Sequence, residues 1–262
     1  MLTEDQIAQF NTNGFALGNR VLTDDEVDVL RAEVMRVIEQ RDRADAPQPV
    51  LLRNLSGNDD APVWQIVNIW AASEPFRRLV SHPRIVDGVA QLTGARELRL
   101  WHDQIQYKPP QKGGVNHWHQ DSPYWPILTP KTAQVTAWVA LDDVDEDNGC
   151  MSMVPGSHQW GNEIKFLESL PNYDAMPGEY KGHTIRVVRC PVRKGYVHFH
   201  HALTWHGSHA NTSGRHRRAI ALHYMTDETR YDASGDHVMK PFVEVADGAK
   251  LAGEHFPLVY RR

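Results

Sequence analysis

The chain has 262 residues, 41% of them hydrophobic and 23% charged, and its 28 Lys and Arg against 33 Asp and Glu leave a net charge of -5. That composition is ordinary for a globular protein, and the length is enough to bury a substantial core. There is no basic block to follow a phosphate backbone, which argues against a nucleic-acid partner. There is no run of eighteen apolar residues either, which argues against a membrane span. The acidic start, Met1-Leu2-Thr3-Glu4-Asp5, is unlike an ordinary secretory signal. The last residues, Val259-Tyr260-Arg261-Arg262, match no C-terminal address. Cys150 and Cys190 are too few for a disulfide framework or a thiolate cluster, and are expected as small core hydrophobes. The expectation is a cytoplasmic enzyme.

Taken in order, Thr3-x-x-Gln6 is a capping box that opens a short helix within residues 3–17, with Gly14 as its stop. Thr23-Asp24-Asp25-Glu26 is a stronger box, with acids suited to the helix dipole. Val27, Leu30, Val34, Val37 and Ile38 follow at helical spacing and predict a helix to about Arg41. Residues 43–62 read as a polar loop with a short strand at Val50-Leu51-Leu52. Helices are predicted near 75–81 and from Pro83 to Leu92, the latter stopped by Gly94. From about 97 the pattern changes to strands: 98–108, 135–141, 151–154 before the turn Pro155-Gly156-Ser157-His158, then 183–188, 195–199 and 217–225. Residues 159–182 have few strand signals and read as a long loop, a candidate lid. Helices first and strands later predict one mostly β domain. It has a helical N-terminal buttress (about 1–95), an antiparallel double-sheet core (about 96–230) and a C-terminal extension (about 231–262).

The chemistry centres on His117-Trp118-His119-Gln120-Asp121. Two His and one carboxylate on one face of a metal form the facial triad of non-haem Fe(II) oxygenases. His119 and Asp121, two residues apart, would share one face of a strand. The candidate third ligand is His206, in a stretch that also holds His198, His200, His201 and His209. His117, His200, His201 and His209 compete for the role. A His117-x-His119 pair of cupin type would want a Glu soon after, and none lies between 118 and 145. In strand 98–108, period two puts His102, Gln104, Gln106 and Lys108 on one face, opposite Trp101, Asp103, Ile105 and Tyr107. A polar inner face makes sense if it lines a cavity. Tyr124 and Trp125 either shape a substrate mouth or cap a sheet.

A series of motifs resembles the phytanoyl-CoA dioxygenase family. In order they are Lys108-Pro109-Pro110, His119-Gln120-Asp121, Trp138, Asn148-Gly149-Cys150, Pro155-Gly156-Ser157-His158, His206-Gly207-Ser208-His209-Ala210-Asn211 and Arg217. The resemblance implies a double-stranded β-helix, a jelly-roll and cupin relative. It implies an Fe(II)- and 2-oxoglutarate-dependent dioxygenase that hydroxylates a small molecule and releases succinate and CO2. His119, Asp121 and His206 would be the metal ligands. Arg217, Ser208, Gln106 and Trp138 would hold 2-oxoglutarate, with His102, Gln104, Tyr124 and Trp125 nearer the substrate. Arg suits the distal carboxylate because its planar fork binds bidentately and keeps its charge. Dioxygen and a small molecule are the expected partners, with the oligomeric state left open. Two rivals are a cupin-like metal-binding isomerase, which has no need of Arg217 and Ser208, and a non-redox ligand-binding jelly roll, against which the ordered motifs argue. A halogenase would lack the carboxylate that Asp121 provides.

Overall fold

The computed structural model describes residues 1–55, 57, 60 and 62–262. Both capping boxes form. Thr3 and Gln6 exchange bonds at the start of α1 (Glu4–Asn13), and Thr23 and Glu26 do so at α2 (Asp24–Glu39). Gly14 ends α1, and the chain passes straight into a strand that its sequence does not announce, β1 (Phe15–Arg20). The expected strand near 50 is β2 (Leu51–Asn54), which pairs with an unexpected β3 (Trp64–Val67). α3 (Glu74–Leu79) and α4 (Pro83–Thr93) follow close to the predicted positions.

Beyond residue 97 come β4 (Glu97–Lys108), β5 (Asn116–His119), β6 (Leu128–Thr129), β7 (Gln134–Ala140) and β8 (Met151–Met153). A short helix, α5 (Ile164–Ser169), occupies part of the stretch expected as loop. Then come β9 (Glu179–Tyr180), β10 (His183–Thr184), β11 (Val188–Cys190) and β12 (Tyr196–His201). The single strand expected over 183–188 is therefore two short ones. β13 (His206–Ser208), β14 (Arg217–Thr226), β15 (Arg230–Tyr231) and β16 (Leu258–Arg261) complete the chain.

The larger sheet runs β1-β12-β7-β14-β4-β3-β2, with β16 also beside β4; the smaller runs β11-β8-β13-β5. This is the mostly β, double-stranded β-helix architecture with helices at its N-terminal side. Period-two alternation divides the large sheet. Val135, Ala137, Val139, Phe199, Ile220 and Leu222 pack against α1, α2 and α4. Trp138, Ala140, Ala219 and Ala221 turn the other way, sharing a cluster with Met151, Met153, Cys150 and Cys190 of the small-sheet side. Both cysteines are buried and free.

One alternation fails. On β14, His223 pairs with His102 but Tyr224 pairs with Leu100, so Trp101 is an extra residue in β4. Such a bulge re-aims a side chain. Trp101 therefore leaves the helix-facing side, where Ile105 and Tyr107 remain, and joins Trp125 and Phe256. Asp103 stays on the outer face, fully buried, and accepts from the Ile69 and Trp70 amides at 2.8 and 3.2 Å. Burial pushes its carboxyl up to about 7 against those donors. No helix among the described residues is long and apolar enough to cross a membrane.

Candidate metal centre and active site

β5 stops at His119, and Asp121 (φ -72, ψ -55) caps a 3-10 turn at Ser122–Tyr124. The expectation that His119 and Asp121 share a strand face is thus corrected: one leaves the strand's end, the other the turn after it. They converge because β13 places His206 directly opposite His119. The two ring centroids are 4.1 Å apart. Nε2 of His119 and of His206 lie 3.7 and 3.5 Å from the same oxygen, Asp121 Oδ1. The ligand atoms of these three residues fall within 4.8 Å of one another, and among the described residues no other such group forms.

Both rings are held alike. Nδ1 of His119 donates to the His117 carbonyl at 2.8 Å, and Nδ1 of His206 to the Thr204 carbonyl at 2.9 Å. A carbonyl can only accept, so Nδ1 carries the proton and Nε2 faces the centre. Asp121 Oδ2 accepts from Thr136 Oγ1 at 2.8 Å and from His200 Nε2 at 3.0 Å, which leaves Oδ1 for a metal. The single Thr136 proton goes to Asp121, so Thr136 accepts from His223 Nδ1 at 2.8 Å. Burial alone would raise Asp121, but His206 and the His200 hydrogen bond hold it well below the usual carboxylate range. Burial and neighbouring His206 bring His119 down to about 3, whereas His206, though buried, is held up by Asp121. A buried carboxylate oxygen facing two imidazole Nε2 atoms is a donor set for a cation. Two imidazoles and a carboxylate suit Fe(II).

Of the competing histidines, His200 supports the carboxylate. His201 meets the Thr132 carbonyl, His209 packs on Tyr173, and His117 is exposed. Gln120, between the two ligands, is fully buried and ties Gly161, Glu163 and Leu203 together through its amide.

At the other end of the inner face, β14 turns Arg217 inward and Arg218 outward. Arg218 forms a bidentate pair with Asp142 at 2.8 and 2.9 Å, where Arg31 of α2 also pairs. Arg217 is fully buried over the Trp138 ring, and its Nη2 donates to Ser208 Oγ at 3.2 Å. Lys108 pairs in register with Arg217, is equally buried, and donates to the same Ser208 hydroxyl at 2.8 Å. Neither cation meets a carboxylate among the described residues. Burial lowers Arg217 to about 10, and burial followed by the Arg217 charge sets Lys108 well below its usual value. Two desolvated cations converging on one hydroxyl form a receptor for an anion.

Gly149, Asn211 and Gln106 support this end. Gly149, with φ +85, would place a Cβ 2.5 Å from the His209 carbonyl, and its own carbonyl accepts from Arg217. A side chain there would be both strained and crowded. Asn211 donates to the carbonyls of Lys108, Pro109 and Arg215, fixing the end of β4. Gln106 accepts from Asn116 at 2.9 Å.

A cavity of about 700 Å³ runs from the His-Asp-His group to Ser208 and Trp138, the contacts of Arg217, and is within the range of small-molecule sites, roughly 300–1,000 Å³. It brings together His102, Gln104, Gln106, Trp138 and Ser208, with Tyr124 and Trp125. Tyr124 stands half exposed at the mouth and donates to Glu168 of α5 at 2.9 Å. Trp125 is buried, its ring centroid 4.8 Å from that of His223. Residues 159–182 thus contribute a helix and a wall. Sequence reasoning placed Lys108 on the inner face but gave it no role. It passed over Thr136, His223 and His237, since none lies in a recognisable motif.

The family model for phytanoyl-CoA dioxygenase matches residues 10–219. The chain belongs to the phytanoyl-CoA dioxygenase family. The peroxisomal phytanoyl-CoA dioxygenase of Mus musculus is 29% identical over 94% of this chain and 76% of its own length. The α-ketoglutarate-dependent carbocyclase SnoK of nogalamycin biosynthesis is 30% identical, with a TM-score of 0.80 over 98% of this chain and 96% of that one. The epimerase SnoN, solved with Fe3+, α-ketoglutarate and nogalamycin RO, is 28% identical, with a TM-score of 0.78 over 98% of each chain. As a member of this family the protein is a non-haem Fe(II), 2-oxoglutarate-dependent dioxygenase.

Proposed function

We propose that His119, Asp121 and His206 hold Fe(II) through Nε2, Oδ1 and Nε2, and that Arg217, Lys108 and Ser208 receive the distal carboxylate of 2-oxoglutarate. Gln106 and Trp138 flank the co-substrate, and His102, Gln104, Tyr124 and Trp125 face the substrate. The observation that carries this reading is the pair of buried cations, with no carboxylate partner among the described residues, that meet at Ser208, a residue lining the same cavity as the His-Asp-His group. A metal-binding isomerase or a plain ligand-binding jelly roll has no use for such an anion receptor.

When bound, iron and 2-oxoglutarate would activate dioxygen, the oxidant, for removal of hydrogen from a substrate carbon, with 2-oxoglutarate itself oxidised to succinate and CO2. The chain's own residues bind, orient and exclude. Arg217 and Lys108 fix one end of the co-substrate, and the Trp138 ring under Arg217 keeps water from that charge pair. Thr136 and His200 fix Asp121 so that one oxygen alone is offered to the metal. Trp125 and Tyr124 form the wall and mouth that position a small molecule.

Hydroxylation is the proposed outcome. The likeness to a carbocyclase and an epimerase favours a second outcome at the same centre, ring closure or inversion without oxygen insertion. The test is a metabolite screen that follows succinate release in the presence of Fe(II) and 2-oxoglutarate, with product masses recorded. Product that gains an oxygen atom supports hydroxylation; loss of two hydrogens or an unchanged mass supports the second outcome. Succinate release that does not depend on 2-oxoglutarate would end the assignment.

A further inference from the structure

The C-terminal extension returns to the cavity. After β15, Asp232 N bonds to the Ile127 carbonyl at 2.9 Å, and Gly235 lies so close to Pro126 that a Cβ would sit 2.6 Å from its carbonyl carbon. Lys240 Nζ donates to the carbonyls of Ala233 and Gly235. This anchored strap delivers His237 to the cavity wall beside His102, the two rings stacked at 5.8 Å and 17°.

Their hydrogen bonds fix opposite tautomers. His237 Nδ1 accepts from the Met239 amide at 3.1 Å, so in the neutral ring the proton is on Nε2. His102 Nδ1 lies 3.2 Å from the Asp103 carbonyl, which only accepts, so its Nε2 carries a lone pair. Neither Nε2 has a partner among the described residues, and neither is sealed from the cavity. Burial brings His237 down to about 4; burial, then His223 and His237, set His102 well below its usual value. Both rings are therefore neutral at neutral pH.

The remaining wall mixes apolar side chains with neutral polar ones such as Gln104 and Asn116. Leu55, Val115 and Val238 line it while 44%, 41% and 40% exposed, as large apolar side chains do where a ligand covers them. Among the described residues, apart from Asp121 and the histidines, the charged side chains lining the cavity are Arg53 and Glu168, one of each sign. Arg53 donates to Gln65, and Glu168 accepts from Tyr124.

We propose that His237 as donor and His102 as acceptor select an uncharged substrate with an apolar body that carries a hydroxyl beside a carbonyl or a second hydroxyl. The proposal rests on the reading of this cavity as the substrate site. Three matched probes test it by calorimetry, with Mn(II) and 2-oxoglutarate present and oxygen excluded. Benzoin carries a hydroxyl beside a carbonyl between two phenyl rings, deoxybenzoin lacks the hydroxyl, and benzilate carries a hydroxyl beside a carboxylate in place of the ketone, with both phenyl rings on one carbon. Benzoin is expected to bind about fivefold to tenfold more tightly than deoxybenzoin, the net effect of roughly one hydrogen bond, with benzilate not competing. His102→Phe and His237→Phe keep a ring but lose the acceptor and donor. Each should bring the benzoin preference close to one while 2-oxoglutarate affinity is unchanged, and His237→Gln should retain the preference. His237 sits on the strap and outside the core, so its variants remain informative if His102→Phe fails to fold. An unchanged preference in His237→Phe, a best-binding benzilate, or no binding of any probe would overturn the proposal. Failure of the co-substrate reading would show separately, as loss of 2-oxoglutarate binding to the Mn(II) protein whatever the probes do.

Discussion

Arg217 and Arg218 are neighbours in sequence with opposite surroundings, so paired substitutions separate their roles. Arg217→Ala removes a fully buried fork whose contacts are two carbonyls, the Ser208 hydroxyl and the Trp138 face. Truncating one partner of a buried, charge-assisted pair costs roughly 2–5 kcal/mol. The lower bound corresponds to about a thirtyfold weaker Kd for 2-oxoglutarate, at about 1.4 kcal/mol per factor of ten. Lys108 remains in place and keeps the loss toward that lower bound. Arg218→Ala instead breaks a bidentate pair with Asp142, whose other partner, Arg31, survives. It should therefore cost about 1–3 kcal/mol of stability, below the value for a fully buried and orphaned charge, with the 2-oxoglutarate Kd unchanged. Anaerobic calorimetry with Mn(II) measures both Kd values, and urea unfolding measures the stability change. A larger loss of 2-oxoglutarate affinity in Arg218→Ala would refute the placement of the co-substrate on the inner face of β14.

Four further outcomes follow from the site and its surroundings. His119→Ala or His206→Ala should abolish metal binding by titration, while His201→Ala, whose ring meets the Thr132 carbonyl, should leave it intact. Gln106→Ala should raise the 2-oxoglutarate requirement more than the substrate requirement in steady-state kinetics; the reverse ranking would reassign Gln106 to the substrate. Lys108→Met should weaken 2-oxoglutarate binding by about tenfold or more, yet stabilise the co-substrate-free fold because it removes an uncompensated buried charge; a destabilised variant would contradict that. Asp103 makes one contribution to the pH dependence, opposite in sign to that of buried histidines such as His119 and His237: its folded value, about 7, lies above its unfolded value of about 4. Its stabilising contribution is thus full below pH about 4 and lost as pH rises through about 7. Asp103→Asn should remove that contribution, so that its urea midpoint rises more, or falls less, with pH than the parent's between those limits.

Much of this site could be read from residue order, for specific physical reasons. Capping boxes are local, so Thr3 and Thr23 announced their helices. Burial on both faces imposes a strict period, so the inward set of β14 and most of β4 followed from alternation. The failures have non-local causes. A bulge depends on the partner strand, so the turn of Trp101 had no local mark. His119 and Asp121 read as one strand face because spacing alone does not reveal where a strand stops. Alternation put Lys108 on the inner face, but its role depends on Arg217 and Ser208, which only the fold brings beside it. The six residues of α5 are too few for helical periodicity to stand out. His237 reaches the cavity only because residues 230–240 fold back, and no pattern in the chain announces that return.

The direct opposition of His206 and His119 across β13 and β5 has a consequence for how the protein is handled. A metal on both Nε2 atoms would join two strands of the small sheet, acting as a rivet across a ladder of only a few residues. Occupancy would then act on the folding equilibrium by mass action: a metal held at a hundred times its Kd adds about 2.7 kcal/mol. Chelation during purification would withdraw that contribution from β5 and β13 first. Thermal midpoints of this protein have meaning only when the metal content of the preparation is stated.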